Sequence, residues 1–430
     1  MTGHRANDGP GVQFRRLARP WLSSARLGLL ALALWAGWWA LSSWQGRLAL
    51  AEHTWIRLPA YGVDFQLNID RPTRLWVNGA NPYLDPDPLF CYPPIVLRLF
   101  AWTTLLRPWQ ALRAWQVILA LLAAMGALVA VRWRGRLSLH SLPASAAVAL
   151  ILCSMPVLFA MERGNYDLLV LPFLVAGVLV AERPWRGAAS VGGLMLAVAV
   201  WLKLYPGLVL PGLLVLRRPR LGAWAIAWVG IIGLSFASEL GPFLANSRLH
   251  VQQARFAARL AAPEPAAYPW NHPLGLTWSW LWSGTPLARL PGDLAAAAAI
   301  GVLVVGLSWH VWRQPDSWRL ALPYLLWLVA AGTFVVPVSN DYNLTPLPLA
   351  LVAVWDRRRP SSYLAAGLLV LWCQPLWLPL PTRVLMLAKL AGLIGVAVAL
   401  ARSHAHTAAG QSPLPVAPPA READAPHRVG

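Results

Sequence analysis

Side chains able to do acid–base or electrostatic chemistry are scarce in this sequence and unevenly placed. Four acids, Asp64, Asp70, Asp85 and Asp87, fall in one polar, turn-rich stretch from Tyr61 to Pro94, YGVDFQLNIDRPTRLWVNGANPYLDPDPLFCYPP. Three compact polar islands interrupt apolar runs further on: MERGNYD at 161–167, KLYP at 203–206 and VSNDYN at 338–343. A carboxylate such as Asp64 can take a proton from a hydroxyl held within hydrogen-bond reach, or it can serve only as a turn or cap acid. Lys203 is one of only two lysines in a chain that otherwise uses arginine. Within a break in an apolar stretch its ammonium can offset the charge of a phosphate, or it can snorkel to the interface from the end of a short helix. Arg163 has a similar claim on an anion, against local neutralisation by Glu162. Asp70, before Arg71-Pro72, reads as a solvated turn, and Asp85 and Asp87, alternating with prolines, read as turn formers.

The elements that must position these groups are membrane helices. The chain of 430 residues is 57% hydrophobic and 12% charged, with a mean hydropathy of +0.51. A bilayer crossing needs ~20 apolar residues, and several segments meet that length, so an all-α polytopic transmembrane bundle is expected. The formal charge of +19 would point to nucleic acid in a soluble chain. Here the arginines cluster between apolar spans, where the positive-inside rule accounts for them, and no basic-aromatic reader pattern occurs. No nucleic-acid partner is expected. The three cysteines have no paired spacing and the nine histidines no ligand spacing, so neither a disulfide framework nor a metal site is expected.

Residues 1–24 carry Arg5, Arg15, Arg16 and Arg19 against the single acid Asp8, which puts the N-terminus in the cytoplasm. The first span, Leu27 to Trp44, lacks a clear cleavage site, reads as a retained signal anchor, and delivers the first external loop (46–94). Ile95 to Leu106 is short and reads as an interfacial helix before a span at 117–131. Residues 188–216 fit two short helices broken at 203–206, because that keeps the basic loops ERPWRG and RRPR on one side. Irregular backbone at membrane depth needs protein or a wet cavity around it, so Lys203 is expected to face a cavity. Further spans are expected at 143–160, 168–181, 221–240, 294–312, 320–336, 344–355, 363–380 and 384–401, giving about twelve crossings within 25–401. A long external loop is expected at 241–292 and a disordered cytoplasmic tail at 402–430. Under this topology eleven of the seventeen carboxylates lie outside, and the polar islands with Asp64 line one external cleft.

An N-terminal span followed by Val-Asp-Phe at 63–65, WVNGANPY at 76–83 and YPP at 92–94 resembles the integral-membrane GT-C glycosyltransferases of glycosyltransferase family 87. RGNYD opening a span, WLKLYPGLVLPGLL before a basic loop, and the SNDYN turn extend the resemblance over roughly residues 25–400. It implies transfer of a sugar, mannose or another hexose or pentose, from a polyprenyl-phosphate donor to a lipid-linked or cell-envelope glycan acceptor outside the cytoplasm. The donor is a co-substrate and no cofactor is implied; membrane lipids are the expected surroundings. By the same resemblance Asp64 is the catalytic base, Lys203 and Arg163 bind the donor phosphate, and Asn81, Tyr83, Tyr92, Asn165, Tyr205, Asn340, Asp341 and Tyr342 contact substrate. Mannosyltransferase-type relatives tend to carry a histidine in the last of these turns, and this chain has none there. His272 in the long loop is an alternative. Most of the twenty-six tryptophans are expected at the membrane interface, while Trp76, Trp270 and Trp278 can stack on a sugar or a polyprenyl chain. A secondary transporter or lipid-linked-sugar flippase would share the span number and the broken helix but would show two related halves; no internal repeat is evident. A non-catalytic scaffold is disfavoured by the intramembrane Lys203 and the acidic loop.

Overall fold

The computed structural model describes residues 62–85, 90–135, 147, 150–152, 154–260, 274–336, 341–355 and 382–403. The expected first span, the span at 363–380, Asp87, Trp270, His272, Asn340 and the tail beyond Ser403 lie outside them, as do the side chains of Asp341 and Tyr342.

Among the described residues every regular element is helical. Helices of seven residues or more are numbered here in chain order: α1 (Arg71–Val77), α2 (Pro108–Gly135), α3 (Met155–Arg163), α4 (Asp167–Ala181), α5 (Ala188–Leu202), α6 (Val209–Val215), α7 (Pro219–Leu234), α8 (Ala237–Leu260), α9 (Leu274–Leu281), α10 (Gly292–Trp312), α11 (Ala321–Thr333), α12 (Pro346–Val354) and α13 (Thr382–Ser403). Three stretches, Pro108–Trp133, Gly292–Trp312 and Met386–Ser403, are long and apolar enough to cross a membrane, and α7 with the first part of α8 makes a bent fourth. These helices mark the chain as a membrane protein. On α10, Leu294, Val302, Val305 and Trp309 are exposed, a face suited to lipid. By contrast, every residue of α11 and of α12 is buried. With 13 and 9 residues, they are shorter than a ~30 Å hydrocarbon core at ~1.5 Å per residue, and they are enclosed by protein at the centre of the bundle.

Four segments differ from, or sharpen, the sequence reading. The stretch at 46–94, read as a loop, is helical from Val63 to Val77: an α-turn (Val63–Phe65), a π-turn (Gln66–Asp70) and α1 in succession. Phe65, Ile69 and Thr73, spaced four apart, are its buried face, and that periodicity outweighs the turn-forming composition. Residues 95–106 form two five-residue turns, Ile95–Leu99 and Ala101–Leu105, too short to cross. The apolar run at 221–240 breaks at Ser235-Phe236 with a bend of 95°; Ser235 Oγ donates back to the Ile232 carbonyl at 2.7 Å. As a result the segment at 241–292 begins as helix α8, which carries Asn246, Ser247, Arg248 and His250, and later contains α9.

The chain between α5 and α6 leaves helical geometry at Lys203 (φ −144°, ψ 130°) and resumes as a 3₁₀ turn, Tyr205–Leu208, with Pro206 in its first turn. Residues 188–216 are therefore two helices.

Candidate active site

The site is assembled where two glycine-containing turns meet. Gly62 is left-handed (φ 69°), and its N–H donates to the Glu162 carbonyl at the end of α3 at 2.9 Å. Gly164, which ends α3, is also left-handed (φ 69°), and a side chain there would start 2.7 Å from Phe65 Cβ. Only glycine combines that backbone conformation with that approach. The indole N–H of Trp115 on α2 donates to the Gly164 carbonyl at 2.8 Å and fixes the turn.

This junction turns Arg163 and Asn165 back toward Asp64. Arg163 Nη2 donates to Asp64 Oδ1 at 2.8 Å, and Asn165 Nδ2 donates to Asp64 Oδ2 at 3.1 Å. Asp64 is 4% exposed, so both oxygens of a buried carboxylate are met by hydrogen-bond donors. Burial pushes the neighbouring Glu162 carboxyl up to about 7, with Arg163 opposing, and Glu162 is a poor counter-ion near neutral pH.

A second centre lies one residue pair away. Asn165 Oδ1 accepts from the backbone N–H of Asp167 at 3.1 Å. Asp167 opens α4, where the helix dipole favours an anion. Its Oδ1 accepts from the Tyr205 hydroxyl and from Asn343 Nδ2 at 3.0 Å, and its Oδ2 lies 3.1 Å from Lys203 Nζ. The Lys203 ammonium sits over the rings of Tyr92 and Tyr166, 5.0 and 4.7 Å from their centroids, and the lysine is buried. Those contacts suit a desolvated cation. Tyr83 donates its hydroxyl to the Tyr92 carbonyl at 2.8 Å, and burial pushes the Tyr92 hydroxyl well up, with Cys91, Asp64 and Asp167 adding and Arg163 opposing. Tyr92 thus feels both centres at once.

Helix α8 closes over the loop that carries these tyrosines. Asn246 Nδ2 donates to the carbonyls of Tyr83 (2.8 Å) and Phe90 (3.0 Å), and Ser247 Oγ donates to that of Cys91 at 3.3 Å. One turn on, His250 lies within electrostatic reach of Lys203.

A family model described as glycosyltransferase family 87 matches residues 90–337, more than half of the chain. The chain belongs to glycosyltransferase family 87. No curated protein matches it. The stretch matched to family 87 holds Tyr92, Arg163, Asn165, Asp167, Lys203 and Tyr205 and begins beyond Asp64.

Of the residues expected from sequence, the structure of this family 87 member brings Asp64, Arg163, Asn165, Lys203, Tyr205 and Tyr92 into one buried cluster. Arg163, expected at a phosphate, is paired through Nη2 with Asp64. Asn81 stands apart: its Oδ1 accepts the Tyr83 N–H at 3.0 Å and caps the short turn Pro82–Leu84. Asp70 is no solvated turn. It is buried and accepts from Arg74 Nε at 2.8 Å, while Arg74 Nη2 donates to the Thr103 and Leu106 carbonyls, so the pair ties α1 to the second of the two short turns. Asp85 accepts from Arg71 at 3.1 Å on the surface. Sequence reasoning missed Asp167, Tyr166, Asn343 and His250 as members or neighbours of the cluster. Asp167 lay in the MERGNYD island, but nothing in the sequence marked it as the partner of Lys203. Asn343 lay in the VSNDYN island without being singled out, and His250 comes from a sequence-distant element with no local mark. Among the described residues no group of three or more His, Cys, Asp or Glu side chains is arranged to hold a metal.

Proposed function

We propose that this glycosyltransferase takes a sugar from a polyprenyl-phosphate donor and transfers it to a lipid-linked or cell-envelope glycan hydroxyl on the extracytoplasmic face, within a GT-C bundle of about twelve spans. One observation carries the reading: Asp64 and Lys203, far apart along the chain, converge on a single buried cluster through the two-sided amide of Asn165. Lipid-phosphate sugar transfer needs a base at the acceptor hydroxyl and a cation at the departing phosphate, and no second carboxylic acid, because the leaving group is already a phosphate. Two-carboxylate glycoside hydrolysis differs in that respect.

In this reaction Asp64 takes the proton of the acceptor hydroxyl as its oxygen bonds to the anomeric carbon. The bond from that carbon to the phosphate oxygen breaks, its electron pair stays on the phosphate, and configuration inverts. Arg163 orients Asp64, and Lys203 meets the charge that gathers on the leaving group.

Incubation of purified protein with a panel of polyprenyl-phosphate sugars and a membrane lipid extract tests this. Wild type is expected to transfer from at least one donor, and Asp64→Asn to lower turnover by about 10²–10⁴-fold. Full activity in Asp64→Asn would remove Asp64 as the base, and failure of every donor with wild type would remove the donor class.

A further inference from the structure

Beside the buried cluster, a second recess opens on the first loop. A cavity of about 270 Å³ is lined by Trp76, Gly79, Ala80, Asn81, Pro82, Tyr83, Leu97 and Glu239. Its size is below the ~300–1,000 Å³ usual for drug-sized ligands and suits one sugar ring. No described atom lies within 4 Å of where a Gly79 side chain would start, so the rim there is open.

The walls have a definite chemistry. Trp76 supplies an aromatic face, and Pro82 and Leu97 supply apolar surface for ring C–H groups. The Asn81 carbonyl oxygen is taken by Tyr83 N–H, so Nδ2 is the atom Asn81 can offer a ligand. Glu239 supplies carboxylate oxygens held by Arg98 Nη1 and Nη2 at 2.9 and 3.3 Å. That guanidinium also packs on Trp76 and Phe236, 5.7 and 5.4 Å from the ring centroids. The indole and the carboxylate are therefore fixed in advance by one cation, which lowers the entropy cost of binding. An immobile aromatic face flanked by an amide donor and a carboxylate acceptor, with apolar surface between them, matches the amphipathic surface of a pyranose.

The recess also has a direct route to the cluster. Tyr83 lines it and hands its hydroxyl to the carbonyl of Tyr92, whose ring lies under Lys203. A glycan seated in the cavity sits two tyrosines from the ammonium.

We propose that the cup formed by Trp76, Asn81 and Glu239 binds one sugar ring of the acceptor glycan, and so selects a glycosylated acceptor over a bare lipid alcohol. This rests on the sugar-transfer reading. The variants Trp76→Ala, Asn81→Asp, which keeps the capping oxygen, and Glu239→Gln, which keeps a partner for Arg98, test it in two assays. In the first, saturation-transfer NMR with the methyl glycosides of mannose, glucose and galactose on detergent-solubilised protein is expected to give a signal for at least one probe in wild type and a loss of that signal in all three variants. Absence of signal with every probe, or signal unchanged in the variants, would overturn the cup. In the second, the acceptor KM of Trp76→Ala is expected to rise about tenfold or more, ~1.4 kcal/mol of lost binding, with a much smaller movement of donor KM. An unchanged acceptor KM would overturn the cup while leaving sugar transfer standing. Probe binding that depends on Trp76 in a protein that transfers from no donor would keep the cup and remove the transfer reading.

Discussion

Asn165 is the residue on which the two centres depend together, because one side-chain amide donates to Asp64 and accepts from the Asp167 backbone. The Asp167–Lys203 pair beside it is buried on both sides, with side-chain exposures of 0% and 10%. Removing one member of such a pair leaves an uncompensated charge and costs about 3–5 kcal/mol, whereas replacing both with neutral groups can be close to neutral. Lys203→Met is therefore expected to lower unfolding stability in detergent by about that amount, and Lys203→Met with Asp167→Asn to recover most of it. Both are expected to stay inactive. A single variant as stable as wild type, or a double variant that regains turnover, would count against the assignment. Lys203 was legible in the sequence because an ammonium inside an apolar run is costly wherever it lies. Its counter-ion was not, because Asp167 reaches it only after α4 and the break at 203 pack together.

The joint between α3 and the Asp64 turn belongs to the element scale. Gly164→Ala places a methyl 2.7 Å from Phe65 Cβ on a left-handed backbone, a strain of about 1–3 kcal/mol that pushes the Asp64 turn and the end of α3 apart. A large loss of transfer activity and a lower melting temperature are expected. Gly230→Ala, inside α7 with nothing within 4 Å, is the control and should be neutral or slightly stabilising; comparable losses in both variants would contradict the joint. Some elements were legible for a physical reason: a single crossing at 188–216 would have put the basic loops ERPWRG and RRPR on opposite sides, so the division followed from charge placement, and Pro206 fits the break. The bend after α7 was not, since it coincides with the Ser235 hydroxyl bonding back to the Ile232 carbonyl and with Phe236 packing edge-on against Trp201, 4.9 Å between centroids. Helix from 63 to 77 was hidden by its Asn, Asp, Arg and Pro content, although Phe65, Ile69 and Thr73 carried the helical period.

Across the whole molecule the proposal depends on sidedness. Gln66 is exposed two residues beyond Asp64, and Leu204, 51% exposed, adjoins Lys203. With Cys91, Cys153 and Cys373 replaced by serine, single cysteines at 66 and 204 are expected to react with a membrane-impermeant maleimide added to intact cells. Labelling of one from outside and the other only after lysis would place base and phosphate cation on opposite faces and leave no enzyme. The membrane character was readable from composition alone. The arrangement of α11 and α12 as fully enclosed central helices was not, because their apolar sequences are indistinguishable from lipid-facing ones.

The pairs Asp64–Arg163 and Asp167–Lys203 are each formally electroneutral. In the proposed reaction a lipid phosphodiester adds one negative charge on entering. As the sugar departs, the phosphate gains a second and Asp64 loses its own to the incoming proton, so the sum within the pocket is the same before and after the bond changes. In that step charge passes from Asp64 to the phosphate within the cluster, and the proton Asp64 has taken must leave before the next turnover.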